Sequence, residues 1–295
     1  MKIRSKVAGL FCCLALSTSA FGQRANTEGE AEAVIKSLQP RQGQIVLGDG
    51  LATLNVPPGF RFLSGPDANK VLVNLWGNPR YDDPLGMLMP ADVSPIAREA
   101  WAVIISFTDD GYVKDEDAGK IDYDKLLKEM QKETRDGNKE RAKQGYESIE
   151  LVGWAAPPRY DHAAKKLYWA KELKFGDKED RTLNYNIRIL GRRGVLVLNS
   201  VASMEQLPEI ETSAPVILAA VDFNPGQRYA DFNAKSGDKI ASYGIGALIA
   251  GGVAAKLGLF KGLLVAALAA KKFIIIGVIA VVGLITKFYR KTTND

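Results

Sequence analysis

The stretch from residue 240 to residue 289 constrains this chain more than any other. It reads IASYGIGALIAGGVAAKLGLFKGLLVAALAAKKFIIIGVIAVVGLITKFY. Two charge-free apolar runs, residues 240–255 and 273–286, flank a stretch interrupted only by Lys256, Lys261, Lys271 and Lys272. A soluble domain of this size has too little polar surface to cover such a tail. A bilayer accepts it, because a helix satisfies its own backbone groups and apolar side chains meet no penalty in lipid. Residues 240–289 are therefore expected to form a membrane anchor, preceded by a linker at 231–239 and followed by a short polar tail at 290–295.

The lysines set the expected topology. Under the positive-inside rule they face the cytoplasm. The second run, at 1.5 Å per residue, reaches about 21 Å against a hydrocarbon core of about 30 Å. A single span and a helical hairpin both stay open, and the hairpin is the favoured reading. Ala247, Gly251 and Ala255, four residues apart, form a small-residue stripe on which a second helix can approach closely. The stripe points to self-association or to a membrane-protein partner, alongside the bilayer itself.

The N-terminus complements the tail. Lys2, Arg4 and Lys6 precede a short apolar core at 7–16, and Ala20-Phe21-Gly22 supplies a small-x-small step. This is the grammar of a secretory signal peptide, residues 1–22. Both cysteines, Cys12 and Cys13, lie within it. The mature chain then has no disulfide, thiolate metal site or cysteine nucleophile. The remaining exported region is long enough to bury a core of its own.

The formal charge of +5 belongs to the two ends. Residues 23–230 hold 27 bases against 31 acids, so the exported region is mildly acidic. Its bases are interspersed with acids, which argues against nucleic acid as a partner.

Along residues 23–230 the apolar pattern is mostly that of strands. Residues 45–47 and 51–55 flank the turn Gly48-Asp49-Gly50, and Pro57-Pro58 ends the second run. Residues 64–77 suit a short helix. Residues 100–108, AWAVIISFT, read as a buried strand. Residues 123–145 form the clearest helix, with Tyr123, Leu126, Leu127 and Met130 on one face and Asp122 as its N-cap. Strands are expected at 148–155, ending at Pro157-Pro158, and at 166–175, 182–190 and 194–203. A helix at 205–220 and a short strand at 221–223 complete the region. Hairpin connections dominate, so the expected fold is α+β, a mainly antiparallel sheet with packed helices.

Candidate chemistry is sparse. The only histidine, His162, lies in a polar turn, and no G-x-S-x-G elbow offers a nucleophile to pair with it. One histidine and no mature cysteine argue against catalytic zinc. No Walker loop or Rossmann fingerprint opens a helix in the exported region, and no cofactor or catalytic residue is assigned. The acidic loop DDGYVKDEDAGKIDYD carries seven carboxylates in residues 109–124. Hard cations take oxygen ligands of this kind, and Asp115, Asp117 and Asp122 are the candidate metal ligands. The calcium-loop match fails at Gly119 and Lys120, and no glutamate stands at the twelfth position. Trp154, Tyr168 and Trp169 are expected to serve core or hairpin packing rather than a binding groove.

Several longer motifs carry a family likeness. LATLNVPPGFRFL, DYDKLLKEM, LVGWAAPPRYD, KLYWAKEL, LNYNIRILGRRGVLVLNSVA and FNPGQRYADFN followed by YGIGALIAGGVAAK resemble a family of uncharacterised bacterial membrane-anchored proteins, a domain of unknown function. The resemblance implies an extracytoplasmic domain on a C-terminal anchor in the bacterial inner membrane. It supplies no site residues. The strand followed by PPGF and the hairpin-rich order are also similar to the photosystem-accessory (PsbP) and Mog-type sandwich folds. The expected role is binding or envelope scaffolding. The alternatives are a carboxylate-dependent hydrolase, with or without a divalent cation at 109–124, and an accessory subunit of a membrane complex.

Overall fold

The computed structural model describes residues 28–78, 84–143, 145–177 and 179–251. In chain order, α1 (Glu28–Lys36) precedes a hairpin of β1 (Gln44–Leu47) and β2 (Ala52–Asn55). β3 (Phe60–Ser64) runs directly into α2 (Gly65–Asn69), which continues as a π-helical turn at Lys70–Leu75. β4 (Gly86–Pro90) and β5 (Ala102–Thr108) follow, then the long α3 (Tyr123–Lys143). Four strands make an antiparallel meander: β6 (Ile149–Asp161), β7 (Lys166–Phe175), β8 (Arg181–Leu190) and β9 (Val195–Ser203). α4 (Leu207–Ala220), β10 (Val221–Phe223) and the short α5 (Ile245–Ala250) complete the described elements.

All strand pairs are antiparallel. The main sheet has the order β3-β4-β5-β9-β8-β7-β6, and a smaller sheet has the order β1-β2-β10. The architecture is α+β, as the hairpin-rich sequence indicates. One face of the main sheet presents Phe62, Leu88, Val103, Ile105, Leu196, Leu198, Leu183 and Ile187. It shares a core with Ile45, Leu47, Leu54, Val221 and Phe223 of the small sheet and with Ile210, Ala214, Ile217 and Leu218 of α4. The opposite face begins with a second apolar cluster. There Leu63, Met87, Met89, Ala102, Ile104 and Val201 meet Ala68, Val71 and Leu72 of α2 and the π-helical turn.

Two details differ from the sequence reading. Pro157 and Pro158 do not end a strand: β6 runs through both to Asp161, with register shifts between Leu151 and Arg159. β6 is an edge strand, where a missing backbone donor breaks no ladder on the open side and bulges relieve the pairing. The second difference lies at the C-terminal end. The described residues up to Ile249 belong to one compact unit. The expected linker at 231–239 and the first ten residues of the expected anchor thus lie within that unit. Among the described residues no helix is long and apolar enough to cross a membrane. The expected span from residue 252 onward and the signal peptide lie outside the described residues.

The open edge of β6 is covered by α3, whose side chains stand in for a neighbouring strand. Asn138 Nδ2 donates to the Ile149 carbonyl at 2.9 Å, and its Oδ1 accepts from the Ile149 N–H at 2.8 Å. Gln131 Nε2 donates to the Val152 carbonyl at 3.1 Å. A sheet edge closed in this way presents fewer backbone groups to another chain. Asn138→Ala is expected to destabilise the domain by about 1–3 kcal/mol, because it leaves two backbone groups of Ile149 unpaired. Urea unfolding would measure the loss, and aggregation at a lower temperature should accompany it.

Candidate functional site

The acidic loop between β5 and α3 leaves the sheet at the end where the β6–β7 and β8–β9 hairpins turn. The C-terminal segment, residues 224–249, returns to the same end. The loop and the segment meet over several consecutive contacts. Tyr112 N–H donates to the Lys239 carbonyl at 2.8 Å and Ala241 N–H to the Tyr112 carbonyl at 2.8 Å, while Gly111 N–H beside them donates to the Arg193 carbonyl of the β8–β9 turn at 2.9 Å. Tyr112 and Ile240 thereby form a parallel bridge. Gly111 adopts φ +105°, and a Cβ there would fall 2.7 Å from the Lys239 carbonyl oxygen. Only glycine suits that approach.

Alternate carboxylates of the loop then take separate partners. Asp110 Oδ2 accepts from the Tyr243 hydroxyl at 2.8 Å. Asp117 accepts from the first amides of α5, Ile245 N–H at 3.1 Å and Gly246 N–H at 3.3 Å. It acts as the N-cap of a helix far away in sequence, where an ionised carboxylate satisfies orphan donors. Gly244 makes room for it, since a Cβ there would lie 2.5 Å from Asp117 Oδ2. Asp122 serves its own helix, accepting from Asp124 N–H at 3.1 Å and Lys125 N–H at 3.0 Å.

Asp115 is the centre of the clasp. Its Oδ2 accepts from the Tyr160 hydroxyl at 2.7 Å and from Lys165 Nζ at 2.8 Å, and its Oδ1 lies 3.1 Å from the Tyr229 hydroxyl. The same hydroxyl is 3.1 Å from the Val113 carbonyl. The Tyr112 ring is stacked between Tyr229, at 4.3 Å, and Phe232, at 4.1 Å. Lys165 Nζ stands 4.8 Å from the Tyr229 ring centre. His162 is 65% exposed, with Nδ1 3.7 Å from Asp115 Oδ2 and its ring edge-on to Tyr160. A further tie closes the segment from outside: Arg192 grips Asp238 with two bonds, at 2.7 and 3.1 Å.

The electrostatics suit holding rather than catalysis. Burial would raise the Asp115 carboxyl, but the hydrogen bonds from Lys165, Tyr160 and Tyr229 and the lysine charge outweigh it. The carboxyl is held below its ordinary value. Burial, reinforced by Asp115, pushes the Tyr160 phenol upward. Burial also raises Tyr229, together with hydrogen bonding to Tyr112 and the Asp115 charge. A depressed carboxylate is a weak base and a raised phenol a weak acid, so neither is matched to proton transfer near neutral pH.

The three candidate metal ligands are thus brought to three different places: Asp115 to the hairpin and Tyr229, Asp117 to α5, and Asp122 to α3. Among the described residues no group of three or more His, Cys, Asp or Glu is placed to hold a metal ion. Of the expected helix-packing stripe, Ala247 is buried within α5. Gly251 stands beyond the helix with φ +107°, and Ala255 lies outside the described residues. Tyr160, Tyr229 and Tyr243 escaped sequence reasoning, and so did Lys165. Isolated tyrosines give no spacing signal, and the only local clue was their occurrence at hairpin tips and in the lead-in to the tail.

Comparison with known families matches residues 39–282 to the family described as protein of unknown function (DUF2167). The chain belongs to the DUF2167 family. The family match spans the acidic loop, the hairpins and the C-terminal segment together. No curated protein matches the chain. Two solved structures overlap with this DUF2167 protein at low TM-scores. The solution structure of cyanobacterial PsbP (CyanoP) from Synechocystis sp. PCC 6803 does so with 12% identity over 64% of this chain and 94% of its own, at a TM-score of 0.35. The crystal structure of LpqN, involved in cell envelope biogenesis of Mycobacterium tuberculosis, does so with 16% identity over 68% and 98%, at 0.30. At those scores neither carries an argument here, and the α+β architecture rests on the strand order of this chain.

Two outcomes test the clasp. A carboxyl held below its ordinary value contributes its full stability above about pH 4 and loses it as pH falls through the lowered folded value. Asp115→Asn is therefore expected to cost about 1–3 kcal/mol at pH 7. The gap to wild type should shrink as the medium is taken below about pH 4, measured by urea unfolding at pH 7 and pH 3. Gly244→Ala is expected to push Asp117 off the α5 N-terminus. Amide exchange at Ile245 and Gly246 would then accelerate, while exchange in β7 and β8 stays unchanged.

Proposed function

We propose that this DUF2167 protein is a membrane-tethered extracytoplasmic protein of the bacterial inner membrane, with a binding or scaffolding role rather than a catalytic one. The observation that carries the reading is the clasp: the segment leading into the apolar tail is fastened to the domain by Asp110, Asp115, Asp117 and the Tyr112 backbone. A lead-in fastened in this way holds the domain at a fixed place, which suits a scaffold. The signal-like N-terminus and the long apolar tail support export and anchoring. The candidate acids are engaged in holding chain segments together, which supports a role other than hydrolysis.

Two measurements test the proposal. Full-length protein is expected in the membrane fraction, resistant to high salt, while a chain ending at Gly251 should appear in the soluble periplasmic fraction. Full-length protein that washes off with salt would refute the anchor. Crosslinking in cells, followed by capture of the detergent-solubilised chain and mass spectrometry, should return a recurrent envelope partner or a second copy. Recovery of the chain alone would refute the scaffold role.

A further inference from the structure

The clasp leaves an apolar patch uncovered. Tyr112 and Ile240 are partners in the parallel bridge, so their side chains project to the same side of the paired segments. Their chain neighbours Val113 and Ala241 project to the other side and are buried. Ile240 is 49% exposed. Next to it the Tyr112 ring is stacked between Tyr229 and Phe232, and all three residues are half-buried. A lone exposed isoleucine needs no explanation, whereas one set beside three part-exposed rings marks a contact surface.

The patch lies on the way out of the domain. Ile240 precedes Gly251 by eleven residues, and the apolar sequence continues beyond it. Of that distance α5 takes up only about 9 Å, so the patch is tethered close to the medium that takes up the tail. The surrounding charge favours neither a strongly acidic nor a strongly basic partner. Asp231 accepts from the Gly226 and Arg228 amides, and Asp238 is held by Arg192. Exposed charges of both signs remain, Lys235 and Lys239 on the segment and Lys114, Asp109 and Glu116 on the loop. An apolar centre rimmed by mixed charge matches a layer that is itself mixed, headgroups over hydrocarbon. Tyrosine rings favour that layer, and lysine stems reach from it to water.

We propose that Ile240, Tyr112, Tyr229 and Phe232 rest in the headgroup layer of the bilayer that takes up the tail. The inference rests on the anchored reading and adds an orientation to it: the clasp lies against the membrane. Ile96, 54% exposed in the connection that enters β5 at its other end, stays in water. The contact is apolar at its centre, so high salt, which screens exposed charges, leaves it in place. The clasp then has a second use, since it fixes the rings and Ile240 on one surface while the chain passes toward the tail.

The test uses the full chain in vesicles of phosphatidylethanolamine and phosphatidylglycerol, doped with a phosphatidylethanolamine that carries a photoactivatable diazirine high on its acyl chain. After illumination the chain is digested and lipid adducts are located by mass spectrometry. Adducts are expected on the tail and on peptides covering residues 229–240, and none on residues 91–101. Ile240→Asp should lower the yield at 229–240 about fivefold or more, because it removes apolar area and adds a charge, while the tail yield holds. The wild-type pattern decides the matter even if that variant does not fold. Adducts on the tail but none at 229–240 overturn this inference and leave the anchor standing, whereas adducts on neither overturn both. Equal yields at 229–240 and 91–101 also overturn it, since they mark random collision. An amine crosslinker applied in parallel reports the other occupant. Chains joined through Lys235 or Lys239, with no lipid adduct at 229–240, assign the patch to a second copy and refute the membrane contact.

Discussion

One carboxylate, Asp115, joins three parts of this chain that are remote in sequence. The acidic loop provides it, the β6–β7 hairpin meets it with Tyr160 and Lys165, and the C-terminal segment meets it with Tyr229. Each partner is a donor aimed at an ionised group, so the bonds are charge-assisted and stronger than neutral ones. Neighbouring contacts depend on it. With Asp115 in place, Tyr112 reaches the Lys239 and Ala241 backbone, and Asp117 reaches the first turn of α5. The seven carboxylates of the loop would repel one another if left unpartnered. Asp110, Asp115, Asp117 and Asp122 are instead dispersed onto hydroxyls, an ammonium group and two helix N-termini, where they act as fasteners.

The main sheet is asymmetric. One face is apolar and shares its core with the small sheet and α4. The other is apolar beneath α2 and the π-helical turn, and its middle carries three buried asparagines in hydrogen-bonded series. Burying amides is costly unless they are paired, and here each bonds the next. Such a face gains little from burial but defines its partners narrowly. Trp169 is the exception within it, a large apolar surface whose one polar atom is left without an acceptor.

Much of the fold was legible in local pattern. β7 and β8 alternate with period two, the strands of the meander are separated by Gly-rich or charged turns, and α3 shows helical spacing opened by Asp122. Its N-cap is local, accepting from residues two and three positions on, so sequence could name it. Pro157 and Pro158 misled because proline excludes a central strand but not an edge with bulges. Thr182, Asn184 and Asn186 alternate with Leu183, Tyr185 and Ile187, which reads as a solvent-facing polar side. Alternation reveals which residues share a face. It says nothing of whether water or another layer lies over that face.

By itself, the amino-acid sequence determined the antiparallel α+β character, the absence of cysteine from residues 23–230 and the apolar character of the tail, because each is a property of neighbouring residues. Only the tertiary structure decided what the acidic loop is for. A carboxylate can serve a cation, a hydroxyl or a helix N-terminus equally well in composition, and the choice depends on which groups the chain brings within 3 Å or so of it. Asp117 and Ile245 are 128 residues apart in sequence and hydrogen-bonded in space. That separation is why the lead-in to the tail, read locally as the start of an anchor, belongs to the domain.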